Sequence, residues 1–527
     1  MRRNVFRRQK KSKSKTYTHI GISSDVLLLH RLEDNLEMIK QLFHDCSDVV
    51  YRELTLQPHV QGVLIYIDGM VDSDMISDHA LTPLLFRFGQ QAVEPDTRIP
   101  NLLENGQSVS QVSEAKTVSE AVNAILTGNA VLLVQRFDRA TILSVRGGTR
   151  RGVQEPNTES VIRGPREGFS ENLRTNSALI RFRLKSPQLK MVPFVLGEHT
   201  QTNIALAYME GLADPDVIKE VTARIKDIKI DGVLETGYLE ELIEDDPYSP
   251  FPQVQYSERP DTIAGQLLEG RFVILVDGTP FALSGPVTAV QFLQASEDYY
   301  ERYMIVNLIR WLRYIFLFIS LLFPAIYVAV ITYHHDMLPT NLIYTIAATR
   351  EAIPFPALIE ALIMEVAFEA LREAGIRLPK TVGQAVSILG ALVIGQAAVE
   401  AGIVSAPMVI IVSITGIASF TIPRFNFAIT VRMLRFPIMI LAGVFGLYGI
   451  IIAMMWIIMH MCSLRSFGVP YMSGFAPLNL NELKDTFLRV PWWKMNERPS
   501  TYTDQENRQR MATDMKPEPP TQGKKRI

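Results

Sequence analysis

The sequence predicts a polytopic α-helical membrane domain preceded by a soluble α/β region made of two duplicated subdomains. Three observations carry that prediction: long apolar runs confined to the last third of the chain, a repeat at one fixed spacing in the first 300 residues, and strand-turn-helix patterning inside each repeat. The run Tyr314–Tyr333 holds no Asp, Glu, Lys or Arg, and at about 1.5 Å rise per residue it spans about 30 Å, the thickness of a bilayer core. Three more runs follow: Val382–Ile403 with one acid, Pro407–Ile422 with none, and Phe436–Met461 with only His460. Soluble helices normally keep one polar face, and these runs do not.

Composition averages conceal this split. Over 527 residues the chain is 47% apolar and 20% charged with a net charge of −2, ordinary values for a single globule. Two cysteines far apart, Cys46 and Cys462, offer neither a disulfide framework nor a structural zinc set, and both are expected to be buried thiols. The opening MRRNVFRRQKKSKSK has eight basic residues in fifteen and no apolar core, so it is not a secretory signal. It reads as a disordered tail over residues 1–27, or as a strip on anionic headgroups, and keeps the large domain behind it on the cytoplasmic side.

The duplication is legible in two segment pairs. YIDGMVDSDMI (Tyr66–Ile76) returns as YMEGLADPDVI (Tyr208–Ile218), and TGNAVLLV (Thr127–Val134) returns as EGRFVILV (Glu269–Val276); both pairs are 142 residues apart. Two independent segments sharing one offset without a gap mark a repeat. In each copy a short apolar run ends at an acid and a glycine, Asp68-Gly69 and Glu210-Gly211, which reads as a buried strand entering a turn. VSEAVNAIL and DTIAGQLLE then carry apolar residues at helical spacing. Lone acids at strand ends are turn chemistry rather than catalysis.

These boundaries follow: subdomain 1 over 28–150, a charged connector over 151–190, subdomain 2 over 191–300, the transmembrane domain with four to six membrane segments over 301–465, and a C-terminal tail over 466–527, disordered towards its end. In the connector, Arg163, Arg166, Glu167, Glu171, Arg174, Arg181 and Arg183 alternate in sign between helix-breaking Gly-Pro and Gly positions. Arginine forks beside glycine amides suit an anion, but no P-loop follows, and a salt-bridge network is the favoured reading.

Several stretches together resemble a known family. VIRGPREGFSENLRTNSALIRFRLKSP, DGVLETGYLEELIEDDPYSPFPQVQYSERPD, LLEGRFVILVDGTPFAL, REAIPFPALIEALIMEVAFEALREAGIRLP and GQAVSILGALVIGQAAVEAGIVS look like the A subunit of the GerA-type nutrient germinant receptors of endospore-forming bacteria. The resemblance runs from Leu28 to Pro477. It implies a multi-pass protein of the spore inner membrane that works with a transporter-like B subunit and a lipoprotein C subunit. It further implies that A subunits form a homo-oligomer, a ligand-gated channel for monovalent cations, with the nutrient sensed mainly by B. The SpoVAF-like accessory subunit of the dipicolinate-release channel system shares much of this pattern and stands as the alternative, as does a membrane transporter.

The membrane residues suggest where ions would pass. On a helix over 382–402, Gln384, Ser387, Ala391, Gly395, Ala398 and Gly402 fall within about 60° of one another, a small-residue stripe suited to close helix packing. The opposite side carries Leu389, Val393, Gln396 and Glu400. Packed on its small face around a ring, this helix would point Leu389 and Val393 at the axis as a dewetting constriction and Glu400 as a cation-attracting ring. The competing reading puts those side chains against lipid. Glu360, Glu365 and Glu369, on the segment Phe355–Glu373, are alternative ion-pathway candidates, because ionisable residues at membrane depth face a cavity or a partner. That segment reads equally as a second pore helix, a re-entrant piece or an amphipathic surface helix.

Loop charges leave the number of crossings open. Arg310 and Arg313, then Arg372, Arg377 and Lys380, then Arg424, Arg432 and Arg435 cluster between spans and suit the cytoplasmic side. The basic tail residues Arg465, Lys484, Arg489 and Lys494 suit it too, so either one segment does not cross or the long final run turns back. No Ser/His/Asp set, Walker loop or clustered His/Cys ligand set emerges; no catalytic activity, cofactor, metal or nucleic-acid partner is expected. A self-contained secondary transporter would carry its repeat in the membrane part, whereas here the repeat lies in the soluble part.

Overall fold

The computed structural model describes residues 26–57, 60–72, 74–82, 112–147, 155–156, 158–159, 161–379, 393, 395–479, 482–503, 508–511 and 515–517. The chain divides into two compact units. One takes the residues up to Arg151 together with Ser177–Val192, and the other takes Gly152–Asn176 together with Pro193 onward. The charged connector is therefore shared between them rather than standing apart.

The first unit is built on α1 (Leu32–Leu42), β1 (Val49–Gln57), β2 (Val60–Ile67), β3 (Val112–Ala115), α2 (Val118–Leu126), β4 (Ala130–Val134) and β5 (Ala140–Leu143). Its antiparallel sheet has the order β1-β2-β4-β5-β3. Central β4, AVLLV, is buried at every position, which is why it is continuously apolar rather than alternating. A capping box starts α2: Thr117 Oγ1 accepts from the Glu120 amide at 3.1 Å, and Glu120 Oε2 accepts from the Thr117 amide at 3.3 Å. Beneath the sheet, Arg181 donates through Nε and Nη2 to Asp48 at 2.6 and 2.9 Å, both side chains buried.

The second sheet repeats the first. After α3 (Leu173–Arg183) come β6 (Leu189–Leu196), β7 (Thr202–Met209), α4 (Pro215–Asp227), α5 (Thr236–Ile243), β8 (Gln255–Ser257), α6 (Pro260–Leu268), β9 (Phe272–Val276) and β10 (Ala282–Gly285). The order β6-β7-β9-β10-β8 is the same permutation. The register agrees residue by residue at the 142-residue spacing: Ile65 faces Val131 in the first sheet, and Ala207 faces Val273 in the second. Gly69 and Gly211, at φ 78° and 75°, make the turn that leaves the second strand of each copy.

The second unit continues into α7 (Tyr303–Tyr333), α8 (Thr340–Arg350), α9 (Ala357–Arg377), α10 (Ala406–Ser419) and α11 (Phe425–Ser463). Two of these, α7 and α11, are long and apolar enough to cross a bilayer; α10 is apolar but shorter. One sharp reversal divides α11. The Phe251 ring lies 6.2 Å from Phe427 and 6.0 Å from His460, between centroids, whereas a straight helix would hold those two residues about 50 Å apart. The chain turns at Gly446, whose φ of 62° and ψ of −144° lie outside the helical region. Residues 425–445 and 447–463 are thus two antiparallel helices. Tyr333, at the end of α7, donates its hydroxyl to the Gly443 and Val444 carbonyls, both at 3.0 Å, satisfying groups that the break releases.

The final run turns back on itself at Gly446, one of the two arrangements that the loop charges allowed. The chain after α11 then returns to the second sheet: Ser466 donates to the Gln253 carbonyl at 2.7 Å, Thr503 bridges Ala213, and Arg498 donates to the Leu268 carbonyl at 2.7 Å. One expectation is corrected here: Cys46 is buried but Cys462 is exposed, because it sits on the outward side of the returning helix.

Two expectations follow. A Cβ at Gly446 would meet the His334 ring at 2.7 Å in a backbone conformation that side chains rarely adopt, so Gly446→Ala should cost about 1–3 kcal/mol, read as a lowered thermal midpoint of the full chain. On α5, burial first and then the charges of Glu244, Glu235 and Glu241 push the Glu240 carboxyl up to about 8. Its folded value is raised above the unfolded one, about 4.3, so its contribution is full below that pH and is lost as pH climbs through about 8. Glu240→Gln should flatten that decline; parallel melting curves of both proteins from pH 5 to 8.5 check it.

Candidate functional site

Pro354 and Pro356 stop the chain from continuing α8 into α9, and Pro356 caps the new helix. Along α9 the three acidic candidates each meet a basic or hydroxyl partner. Glu360 is fully buried; it pairs with Arg350 of α8 at 2.9 Å and accepts from the Ser405 amide and hydroxyl at 3.0 and 2.9 Å. Glu365, also buried, takes Nη1 of Arg435 at 2.5 Å. The same guanidinium donates to the Ser320 carbonyl at 2.8 Å and to the Ser320 hydroxyl at 3.1 Å, joining α7, α9 and α11. Glu369 accepts from Arg432 at 2.6 Å and from Arg372 at 3.1 Å, and Arg372 reaches the Ser419 hydroxyl at 3.1 Å.

These contacts set helix directions. Glu360 touches the start of α10 and Arg372 touches its last residue, so α9 and α10 run parallel, fastened at both ends. Buried charges are tolerable only when compensated, and each acid here has an arginine. Arg432 and Arg435 correct a sequence expectation: they lie inside α11 and are buried, not in a loop between spans. Their spacing of three puts both on one helical face, the signal that loop counting passed over. Arg350, Ser320 and Ser405 carried no comparable signal.

The small-residue helix enters this arrangement just before α10. Gly395 is buried, and a Cβ there would stand 3.3 Å from Val409 of α10. Ala398 is half-buried against the bundle core, and Gly402 takes φ 64° at the end of the helix. The other side is open within this chain: Val393 is 52% exposed, and Gln396 donates to Glu400 at 2.8 Å with both side chains exposed. Gln384, Ser387, Leu389 and Ala391 lie outside the described residues. The site can thus offer a carboxylate, an amide and an aliphatic side chain to something beyond one copy of the chain.

The family model of the Bacillus/Clostridium GerA spore germination protein matches residues 37–501. The chain belongs to this GerA family. This GerA chain is 59% identical to the uncharacterized membrane protein YfkQ of Bacillus subtilis, over 90% of its own length and 91% of that protein. It is 47% identical to spore germination protein KA of the same organism, covering 94% and 90%. The crystal structure of the N-terminal domain of the A subunit of the Bacillus megaterium spore germinant receptor GerK3 aligns with 49% of the GerA chain and 96% of that domain, at 33% identity and a TM-score of 0.40. The family match reaches past Pro477 into the segment that packs back on the second sheet.

The Glu365–Arg435 pair gives a direct expectation. Glu365→Ala leaves a buried guanidinium without its carboxylate and should cost about 3–5 kcal/mol. Adding Arg435→Leu should recover part of that loss, so unfolding of both singles and the double forms a cycle; strictly additive costs would show that the two side chains do not interact.

Proposed function

We propose that this GerA-family chain is the A subunit of a nutrient germinant receptor of the spore inner membrane, and that copies of it assemble into a ligand-gated channel for monovalent cations that triggers germination. The observation that carries the reading is the two-sidedness of the helix before α10. Gly395 is spent on Val409 of α10, while Val393, Gln396 and Glu400 are exposed. Repeated around a symmetry axis, that outward face lines a conduit, with aliphatic side chains narrowing it and carboxylates drawing cations to one mouth. Glu360, Glu365 and Glu369 are poor alternatives, since each is engaged by arginine or by Ser405.

The helix directions fit a membrane domain of six crossings: α7 away from the α/β region, α9 back, the small-residue helix away, α10 back, and the two arms of α11 away and back. The basic residues Arg310, Arg313, Arg372, Arg377 and Arg424 then share the side of the α/β region, as cytoplasmic charges do. In this reading the transporter-like B subunit senses the nutrient, a lipoprotein C subunit completes the receptor, and lipids surround the bundle. Effector binding biases the gate only insofar as it favours one of two states of the ring.

The test is cation release from spores carrying the intact receptor. Val393→Ala should leak without nutrient, by about an order of magnitude over wild type, and Glu400→Gln should lower the nutrient-triggered flux severalfold. Gating and conductance unchanged in both variants would sink the assignment.

A further inference from the structure

After α11 the chain folds across the second α/β subdomain, and the space it roofs is charged. Two clefts of about 180 and 390 Å³ open there and share Glu269, Arg271, Gln291, Gln294 and Arg510 in their walls. Arg271, just before β9, is 3% exposed. Its Nη2 donates to Glu269 at 2.9 Å and to the Tyr502 hydroxyl at 3.4 Å. Its Nε and Nη1 have no hydrogen-bond partner among the described residues. A buried cation with idle donors is costly, and five donors on a planar fork suit an oxyanion.

A second arginine with an idle donor lines the same space. Arg508, contributed by the C-terminal segment, donates Nη2 to the Ser500 carbonyl at 3.1 Å while its Nε has no partner among the described residues. Both arginines line the larger cleft, whose walls carry six basic and four acidic side chains. One of those acids, Asp485, is paired with Arg310 of α7, outside the cleft, and another, Glu269, is shared with Arg271. The net charge of the wall is therefore positive. Its size suits a small metabolite rather than a polymer.

We propose that the larger cleft binds a small metabolite bearing a carboxylate or phosphate oxyanion, anchored by Arg271 from the α/β subdomain and Arg508 from the C-terminal segment. The ligand bridges two parts of the chain, and because Asp485 in the same wall holds Arg310, the bound state stiffens the foot of α7. This site lies in the A chain itself, apart from the conduit and from any nutrient site on a partner, so it stands or falls without the channel reading.

The test is isothermal titration of the purified full chain in detergent with inorganic phosphate and with succinate, against sodium chloride at matched ionic strength. Saturable binding of either oxyanion is expected, phosphate alone assigning phosphate esters and succinate alone assigning carboxylates. Arg271→Gln and Arg508→Gln should each weaken it by about tenfold, the loss of one charged hydrogen bond. No binding beyond the chloride control, or unchanged affinity in a folded Arg271→Gln protein, overturns the proposal. Should Arg271→Gln fail to fold by circular dichroism, the half-buried Arg508 decides alone: unchanged affinity in Arg508→Gln overturns it equally.

Discussion

A guanidinium and a carboxylate meeting away from water hold the helical part of this protein in one arrangement. Arg435 reaches Glu365 on α9 and both the carbonyl and hydroxyl of Ser320 on α7. An apolar bundle has little directional preference of its own, because one aliphatic contact substitutes for another at small cost. A buried charge does not tolerate such substitution. Sliding α9 by one turn would strand both ions, so the pair selects a register that packing alone would leave loose. Glu360 and Arg372 extend the same constraint to the two ends of α10, and the glycine-bearing helix is placed by what α10 then presents to it.

The soluble part is organised by a different economy. Its two sheets share strand order and register at one spacing, and each buries an unbroken apolar strand, AVLLV or FVILV, between its neighbours. Pairing and burial suffice there, with polar groups consumed by ladders and caps. The second copy differs in what is laid upon it. The segment after α11 packs on it, with Ser466, Arg498 and Thr503 bonded to residues of the second copy.

The reversal at Gly446 is what makes that covering reachable. Without it, a 39-residue helix would carry the C-terminal segment away from the α/β region instead of back onto it. A single residue lacking a side chain, braced by the Tyr333 hydroxyl, therefore decides that the chain finishes beside the second sheet. Charge counting could not show that reversal.

By itself the sequence determined the repeat, the apolar helices, the strand-to-turn transitions at Asp68-Gly69 and Glu210-Gly211, and the family. These are local or periodic signals, written in residues close together or at one spacing. It also suggested Gly395 as a packing position, since small residues recurring on one face have few other uses. Only the tertiary structure decided which arginine neutralises which glutamate, that Arg432 and Arg435 lie within a helix rather than between helices, and that α11 folds in two. Those outcomes rest on pairs such as Glu365 with Arg435, 70 residues apart, and on a backbone break inside an apolar run. Neither leaves a periodic trace, because a charge records that it needs a partner and not where along the chain that partner stands.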